Sequence, residues 1–305
     1  MFRKLVMPLL LAAVLLSACN AAVALPAELK FTDGLGREVK LSGPAQKIIS
    51  LAPSNTEILF AVGAGKQVVG REEYSDYPAE VQSIPSVGGM GKYNFEQMVA
   101  LKPDLILLAE INSPEMVGQL EDLGLTVFYL SNPKTLEDMY ANLQTVASLT
   151  GHEKETDTLI ESLKKRVSAV DEKVKLATAQ PVVFYELDAT NPATPFTAGP
   201  GTFVDLLIQR AGGVNVVSKA GITDPYPQLS SEQLVSSDPD VIILGDSMWG
   251  VTAEAVGQRP GWENLKAVTG AQVYPFDDNT VSRPGPRLVD GLEQMAKLLH
   301  PELFK

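Results

Sequence analysis

Few residues of this chain have the types and spacing for chemistry. Gly63-Ala64-Gly65-Lys66 carries the glycine and lysine of a phosphate loop. That loop also needs Gly at position 60 and Ser or Thr at 67, where this chain has Phe60 and Gln67. Gly34-Leu35-Gly36 lacks the third glycine and the following helix of a dinucleotide site. Gly245-Asp246-Ser247 follows an apolar run, the setting of a nucleophile elbow, but Trp249 stands where the second glycine belongs. Ser247, Asp290 and His300 occur in a workable triad order, which would make a lipid-anchored serine esterase; nothing else in the chain supports that alternative. Two histidines, His152 and His300, and one cysteine, Cys19, leave no metal cluster and no His–Cys pair. No catalysis, metal site or resident cofactor is expected.

Aromatic rings on Pro- and Gly-containing loops are the stronger signal. They fall in Tyr74-Ser75-Asp76-Tyr77-Pro78, in Pro195-Phe196-Thr197-Ala198-Gly199-Pro200-Gly201, and in Pro225-Tyr226-Pro227. Such rings make a pre-organised, mostly apolar ligand site. Tyr77 is the one assigned to packing on its own lobe.

A repeated carboxylate is the second signal. Glu96-Gln97-Met98-Val99 precedes Pro103-Asp104 and an apolar run; Glu232-Gln233-Leu234-Val235 precedes Pro239-Asp240 and another. The Glu-to-Asp offset is 8 in both. Each Glu falls in the first turn of a short helix, where a carboxylate suits the dipole. One such Glu is ordinary helix electrostatics. Two, one per half, suit a two-fold partner with basic sockets.

The elements that must hold these residues alternate strand and helix. Phe31 to Leu41 reads as a hairpin. Strands are expected at Lys47–Leu51, Gln67–Gly70, Asp104–Ala109, Thr126–Leu130, Val182–Leu187, Val241–Leu244 and Gln272–Tyr274. Helices are expected at Thr56–Val62 (capped by Ser54 or Asn55, with Glu57 in its first turn), Pro114–Leu123, Leu136–Thr150, Phe203–Ala211 and Leu288–Leu299. Glu153 to Thr178 has no Gly or Pro across 26 residues, and Leu159, Leu163, Val167, Val170 and Val174 form one apolar stripe. At full length that helix runs roughly 35–40 Å. It reads as a stiff connector between two α/β regions, with a crossover helix inside one sheet as the alternative.

Of 305 residues, 45% are hydrophobic and 20% charged, which excludes a disordered chain. The net charge of −12 argues against a nucleic-acid partner. Arg3 and Lys4 lead into the apolar stretch Leu5–Leu16, too short to span a bilayer stably. Leu16-Ser17-Ala18-Cys19 then resembles a bacterial lipobox. Residues 1–18 are expected to be a signal peptide, Cys19 a lipidated first residue, and 19–30 a tether. An N-terminal α/β lobe is expected at 31–151, the connecting helix at 152–178, and a C-terminal α/β lobe at 179–305. An exported, lipid-anchored monomer at the cell envelope follows.

Several stretches together carry a family resemblance over roughly Leu29 to Phe304. They are Ile48-Ile49-Ser50-Leu51-Ala52-Pro53-Ser54-Asn55-Thr56-Glu57, Tyr74–Pro78, Asn94-Phe95-Glu96 leading to Leu101-Lys102-Pro103-Asp104, Pro227-Gln228-Leu229-Ser230-Ser231-Glu232, and Arg283-Pro284-Gly285-Pro286-Arg287. The chain resembles the substrate-binding lipoproteins of metal-chelate ABC importers, and among them it looks most like the cobalamin binders.

The resemblance implies two α/β lobes with parallel central sheets, joined by one long helix, with the ligand in the cleft between them and little motion on binding. It implies docking of Glu96 and Glu232 on arginine pockets of a dimeric permease. For the ligand, it implies contacts from Tyr74, Phe196, Tyr226 and Arg283. Tyr226 stands where cobalamin binders carry a Trp. Two departures remove stacking area: Met90 replaces one first-lobe Trp, and Ala109, next to Glu110, replaces another. Trp249 could compensate across the cleft; Met90 could instead belong to the core. Cobalamin or a related corrinoid is the expected cargo. Haem, with Tyr74 or Tyr226 on iron, is an alternative. So is a ferric siderophore, with Arg71, Arg283 and Arg287 as its basic partners; Arg287 could also merely pair with Asp290.

Overall fold

The computed structural model describes residues 28–305; residues 1–18, Cys19 and the tether up to residue 27 lie outside the described residues. The chain opens with an antiparallel hairpin, β1 (Leu29–Thr32) and β2 (Glu38–Leu41). The hairpin thus takes in Leu29 and Lys30, which the sequence pattern assigns to the tether. Then come β3 (Ile48–Ser50), α1 (Pro53–Ala61), β4 (Val68–Arg71), the small hairpin β5 (Gly88–Gly89) and β6 (Lys92–Tyr93), α2 (Phe95–Leu101), β7 (Leu105–Ala109), α3 (Glu115–Glu121), β8 (Val127–Leu130) and α4 (Leu136–Thr150). The strands assemble as a parallel sheet of order β4-β3-β7-β8.

After α5 (Glu153–Val174) the plan repeats. β9 (Val182–Asp188), β10 (Phe196–Thr197), α6 (Phe203–Arg210), β11 (Val214–Asn215), α7 (Val216–Lys219), α8 (Ser231–Ser237), β12 (Val241–Leu244), α9 (Ala253–Gly257), α10 (Lys266–Thr269), β13 (Val273–Pro275), α11 (Asn279–Ser282) and α12 (Leu288–Leu299) follow. β11, β9, β12 and β13 lie parallel in that order, and β10 adds antiparallel to the far end of β9.

The two halves match in detail. Asp104 Oδ2 accepts from the Lys47 N–H at 2.9 Å, and Asp240 Oδ2 accepts from the Val182 N–H at 2.8 Å. Lys47 and Val182 in turn accept from the Asp104 and Asp240 amides. Each Pro-Asp turn therefore sets the register of its strand against the neighbour. Just before it, Lys102 (φ 49°) and Asp238 (φ 42°) end α2 and α8 in the left-handed region, where glycine is the usual residue.

Both sheets are covered on both faces, which explains their nearly continuous apolar runs. Alternate side chains face opposite layers. Ile48, Leu105, Leu107, Val183, Val241 and Ile243 join one core shared by both halves; Ile106 and Leu108 face a separate layer in the first, Ile242 and Leu244 one in the second. α5 makes the shared core continuous. Leu163, Val167 and Val170 are buried, and the helix packs on α4 from the first half and α12 from the second. It stops at Val174 rather than at residue 178, because the apolar stripe ends there and Leu176 is exposed.

The expected start of α1 is corrected. Pro53 is its first residue and Ala52 precedes it, with no side-chain cap. Proline has a preset φ and lacks the N–H that a cap would satisfy, so it opens the helix earlier. Ser54, Asn55, Thr56 and Glu57 are all buried, and Glu57 lies beyond the first turn. Among the described residues, no helix is long and apolar enough to cross a membrane.

Candidate functional site

Ligands of parallel sheets sit beyond the carboxyl ends of the strands. Those ends converge here. Leu51 follows β3, Glu72 to Tyr74 follow β4, Ile111 and Asn112 follow β7, and Gly245 to Trp249 follow β12. They enclose a cavity of about 870 Å³ lined by Tyr74, Met90, Tyr93, Ile111 and Met116 from the first lobe and Trp249 from the second. A second cavity of about 590 Å³ adjoins it across Pro53 and Ile111 and is lined by Glu110, Tyr226 and Arg283.

The floor is fixed by Asn112. Its Nδ2 donates to Leu51 O and to the Tyr93 hydroxyl, both at 2.9 Å, and its Oδ1 accepts from the Ala109 N–H at 2.9 Å. Above that floor the apolar side chains stand open. Trp249 is 79% exposed, Met90 74% and Ile111 71%, an unusual group of large side chains for one surface. Met90 sits at the tip of the β5–β6 hairpin with a φ of 49°, so it belongs to the cleft rim and not to the core.

The aromatics expected from sequence separate into three places. Tyr74, Met90 and Trp249 face the larger cavity; Tyr226 and Arg283 face the smaller. Phe196 is exposed on β10, bridged to Gln228, and lines neither. Ala109, where a ring would add area, is buried at the end of β7.

The arginines differ from expectation. Arg283 donates to Glu57 at 3.0 Å, to Asp76 at 2.5 Å and to the Tyr74 carbonyl at 3.5 Å. Arg287 grips the same Glu57 with two bonds of 2.8 and 2.6 Å, and its guanidinium lies 4.2 Å from the Tyr77 ring centre. It does not pair with Asp290, which Arg166 holds at 2.6 Å. Arg71 is buried and bonds the carbonyls of Val81, Ile84, Glu72 and Glu73. The three cations offered for an anionic chelate are thus already committed inside the protein. Tyr77 does pack as expected, but against the other lobe's Arg287.

Sequence reasoning missed Glu72 and Asn112. Glu72 lines the larger cavity, is 4% exposed, and accepts the Tyr74 N–H at 3.0 Å. Burial pushes its pKa above the ordinary carboxylate value, and the neighbouring Glu73 adds to that. Asn112 was within reach, since it follows a buried parallel strand. Glu72 looks like any solvated acid beside Glu73.

The esterase candidate is not assembled. Ser247 Oγ donates to Phe276 O and accepts its N–H, both at 3.2 Å, while Asp290 is held by Arg166. His300 is buried, and its Nε2 has no hydrogen-bond partner among the described residues.

Glu96 and Glu232 are exposed in the first turns of α2 and α8. Asn94 caps α2 by accepting from Gln97 N, and Ser230 caps α8 with a reciprocal Gln233 contact. Each helix leads back into a parallel strand, so each Glu lies toward the cleft end of its sheet. Val99 and Val235, three residues on, are each 42% exposed.

The comparisons agree with this architecture. The periplasmic binding protein family matches residues 48–280. The uncharacterized ABC transporter substrate-binding lipoprotein YvrC of Bacillus subtilis (strain 168) is 32% identical, over 97% of this chain and 96% of its own. The crystal structure of the periplasmic vitamin B12 binding protein BtuF of Vibrio cholerae superposes with a TM-score of 0.72 at 30% identity, covering 86% of this chain and 99% of that one. The periplasmic heme-binding protein RhuT from Roseiflexus sp. RS-1, in apo form, gives 0.75 at 26%, covering 85% and 99%. Its sequence match, two parallel sheets, bridging helix and interlobe cleft make this chain a member of the periplasmic binding protein family.

Proposed function

We propose that this protein captures cobalamin or a related corrinoid in the interlobe cleft and delivers it to an ABC importer, anchored by lipid on Cys19. The observation that carries this reading is the chemistry of the cleft. It is wide, apolar and ringed by Tyr74, Trp249 and Tyr226, while Arg71, Arg283 and Arg287 are bound internally. A large macrocycle fringed with neutral carboxamides fits such a surface. Haem carries carboxylates, and most ferric siderophores are anionic; both would ask for free cations. The exposed Tyr74 phenol favours haem as the second reading.

Purified protein mixed with cyanocobalamin, haemin or a ferric siderophore and then desalted separates these readings. Corrinoid absorbance retained at one per protein is expected. Retained haem or siderophore bands with no corrinoid would reassign the cleft.

Delivery rests on Glu96 and Glu232. Replacing both with Ala is expected to leave corrinoid affinity within about twofold while cutting ABC-dependent uptake at least tenfold, since each substitution removes a charge from an exposed rim. A fall in affinity matching the fall in uptake would place these residues in the ligand site instead.

A further inference from the structure

Glu72 is a buried carboxylate with unmet hydrogen-bonding capacity, set in the wall of the larger cavity. Its surroundings show how it is held. Oε2 accepts the Tyr74 N–H at 3.0 Å. A Cβ placed on Gly89 would come within 2.5 Å of Oε1, so the β5–β6 hairpin that carries Met90 lies directly against this carboxylate. Among the described residues Glu72 has no ion-pair partner. Arg71 beside it is spent on four carbonyls, and Arg283 is spent on Glu57 and Asp76. The other polar side chains on this cavity are neutral: Tyr93 and Asn112, which bond each other, and Tyr74, Ser113 and Gln119. Arg283 and Arg71 still favour its charge from nearby, but burial outweighs them; a buried carboxylate without a direct ion pair is costly unless hydrogen bonds reach it. One backbone N–H leaves most of its acceptor sites open.

We propose that Glu72 selects the cargo by its charge: it accepts an N–H from a neutral carboxamide of the bound chelate and rejects a carboxylate at that place. This rests on the corrinoid reading above and adds to it a residue and a rule of discrimination. A site built around an acceptor discriminates strongly when the ligand's donor is replaced by a second acceptor, because two buried acceptors then face each other. Glu73, next in sequence, is exposed and provides the comparison.

The test uses cyanocobalamin and its b-, d- and e-monocarboxylic acids, each with a single carboxamide hydrolysed, titrated into the protein at pH 8. The wild-type protein is expected to bind at least one of the acids tenfold or more weakly than cyanocobalamin. Glu72→Gln is expected to narrow that gap at least fivefold for the same isomer, while Glu73→Gln leaves it unchanged. Equal affinity of the wild type for cyanocobalamin and all three acids overturns the inference. So does a gap that survives in Glu72→Gln, or one that closes equally in Glu73→Gln. Thermal unfolding of each variant, and retained cyanocobalamin binding, show that the fold persists. If neither wild type nor variants bind cyanocobalamin, the corrinoid reading itself fails and takes this inference with it.

Discussion

Replacing Glu57 with Ala should lower stability by about 3–5 kcal/mol, the cost of breaking a buried ion pair from one side. The Glu57 side chain is 1% exposed, while Arg283 and Arg287 are 14% and 12%. Without the carboxylate, two guanidinium groups confront each other out of water. Arg283 keeps Asp76, and Arg287 keeps Asp277 at 3.6 Å and the Tyr77 ring, so each retains some compensation. Those partners are largely exposed and return little. Glu57 belongs to α1 in the first lobe, and both arginines flank α11 and α12 in the second. The loss therefore acts on the contact that fixes one lobe against the other behind the cleft. A fall in melting temperature of roughly 10 °C is expected. Glu57→Gln, which keeps the shape and loses the charge, should fall between the parent and Glu57→Ala. A midpoint within about 2 °C of the parent for Glu57→Ala would show that the network does not hold the lobes together.

That network also marks where reading the sequence stops. Helices α4 and α12 and strand β12 run between the residues expected from their patterns, because periodicity and capping are local. Thr135 and Gly151 close the two ends of α4 with signals in its own sequence. The Glu57–Arg283 contact joins residues 226 positions apart, and nothing near either one announces it. From sequence, Glu57 reads as a helix-start acid, and the family resemblance implies that Arg283 contacts the ligand; neither reading anticipates a buried ion pair between the lobes. The sequence pattern shows which residues can leave water. It does not show which charges will leave with them.

The candidate site divides along the same line. Tyr74, Met90 and Trp249 lie together on one cavity, and the exposed Glu pair falls on matching helices, because both are tied to strand ends that the repeat positions. Phe196 stands apart, since a two-residue strand with a register shift at the sheet edge carries no pattern to aim a side chain. Glu72 was invisible for another reason. The β5–β6 hairpin lies against it at Gly89, a contact between segments each unremarkable alone.

Asp246→Asn should make the protein more stable at pH 8 and leave it nearly unchanged at pH 4. Asp246 lies two residues beyond the end of β12, in the turn that leads to Trp249, and is 4% exposed. Its Oδ2 accepts the Ala189 N–H at 3.1 Å, and its Oδ1 is buried with no hydrogen-bond partner. Glu186 next to it is fully buried and gives both its oxygens to Arg259, the second contact at 2.9 Å. That one arginine serves Glu186, so a charge on Asp246 has no cation of its own. Burial first, and the Glu186 charge second, push the Asp246 pKa up to about 7. The sign follows from proton counting. Between about pH 4 and 7 the folded chain holds a proton that the unfolded chain has released. Stability therefore falls as pH rises through that window and levels off above it. A pKa raised that far is worth roughly 4 kcal/mol at most. Asn cannot ionise, can still accept from Ala189, and offers an amide N–H to Glu186. Urea unfolding of parent and variant at pH 4, 6 and 8 measures the difference, with the other titrating groups common to both. The variant's advantage should grow by about 2–4 kcal/mol from pH 4 to pH 8. Parallel pH profiles would mean that Asp246 ionises as an ordinary carboxylate, and that the loop carrying Trp249 into the cleft stands on a charged carboxylate and not on a neutral one.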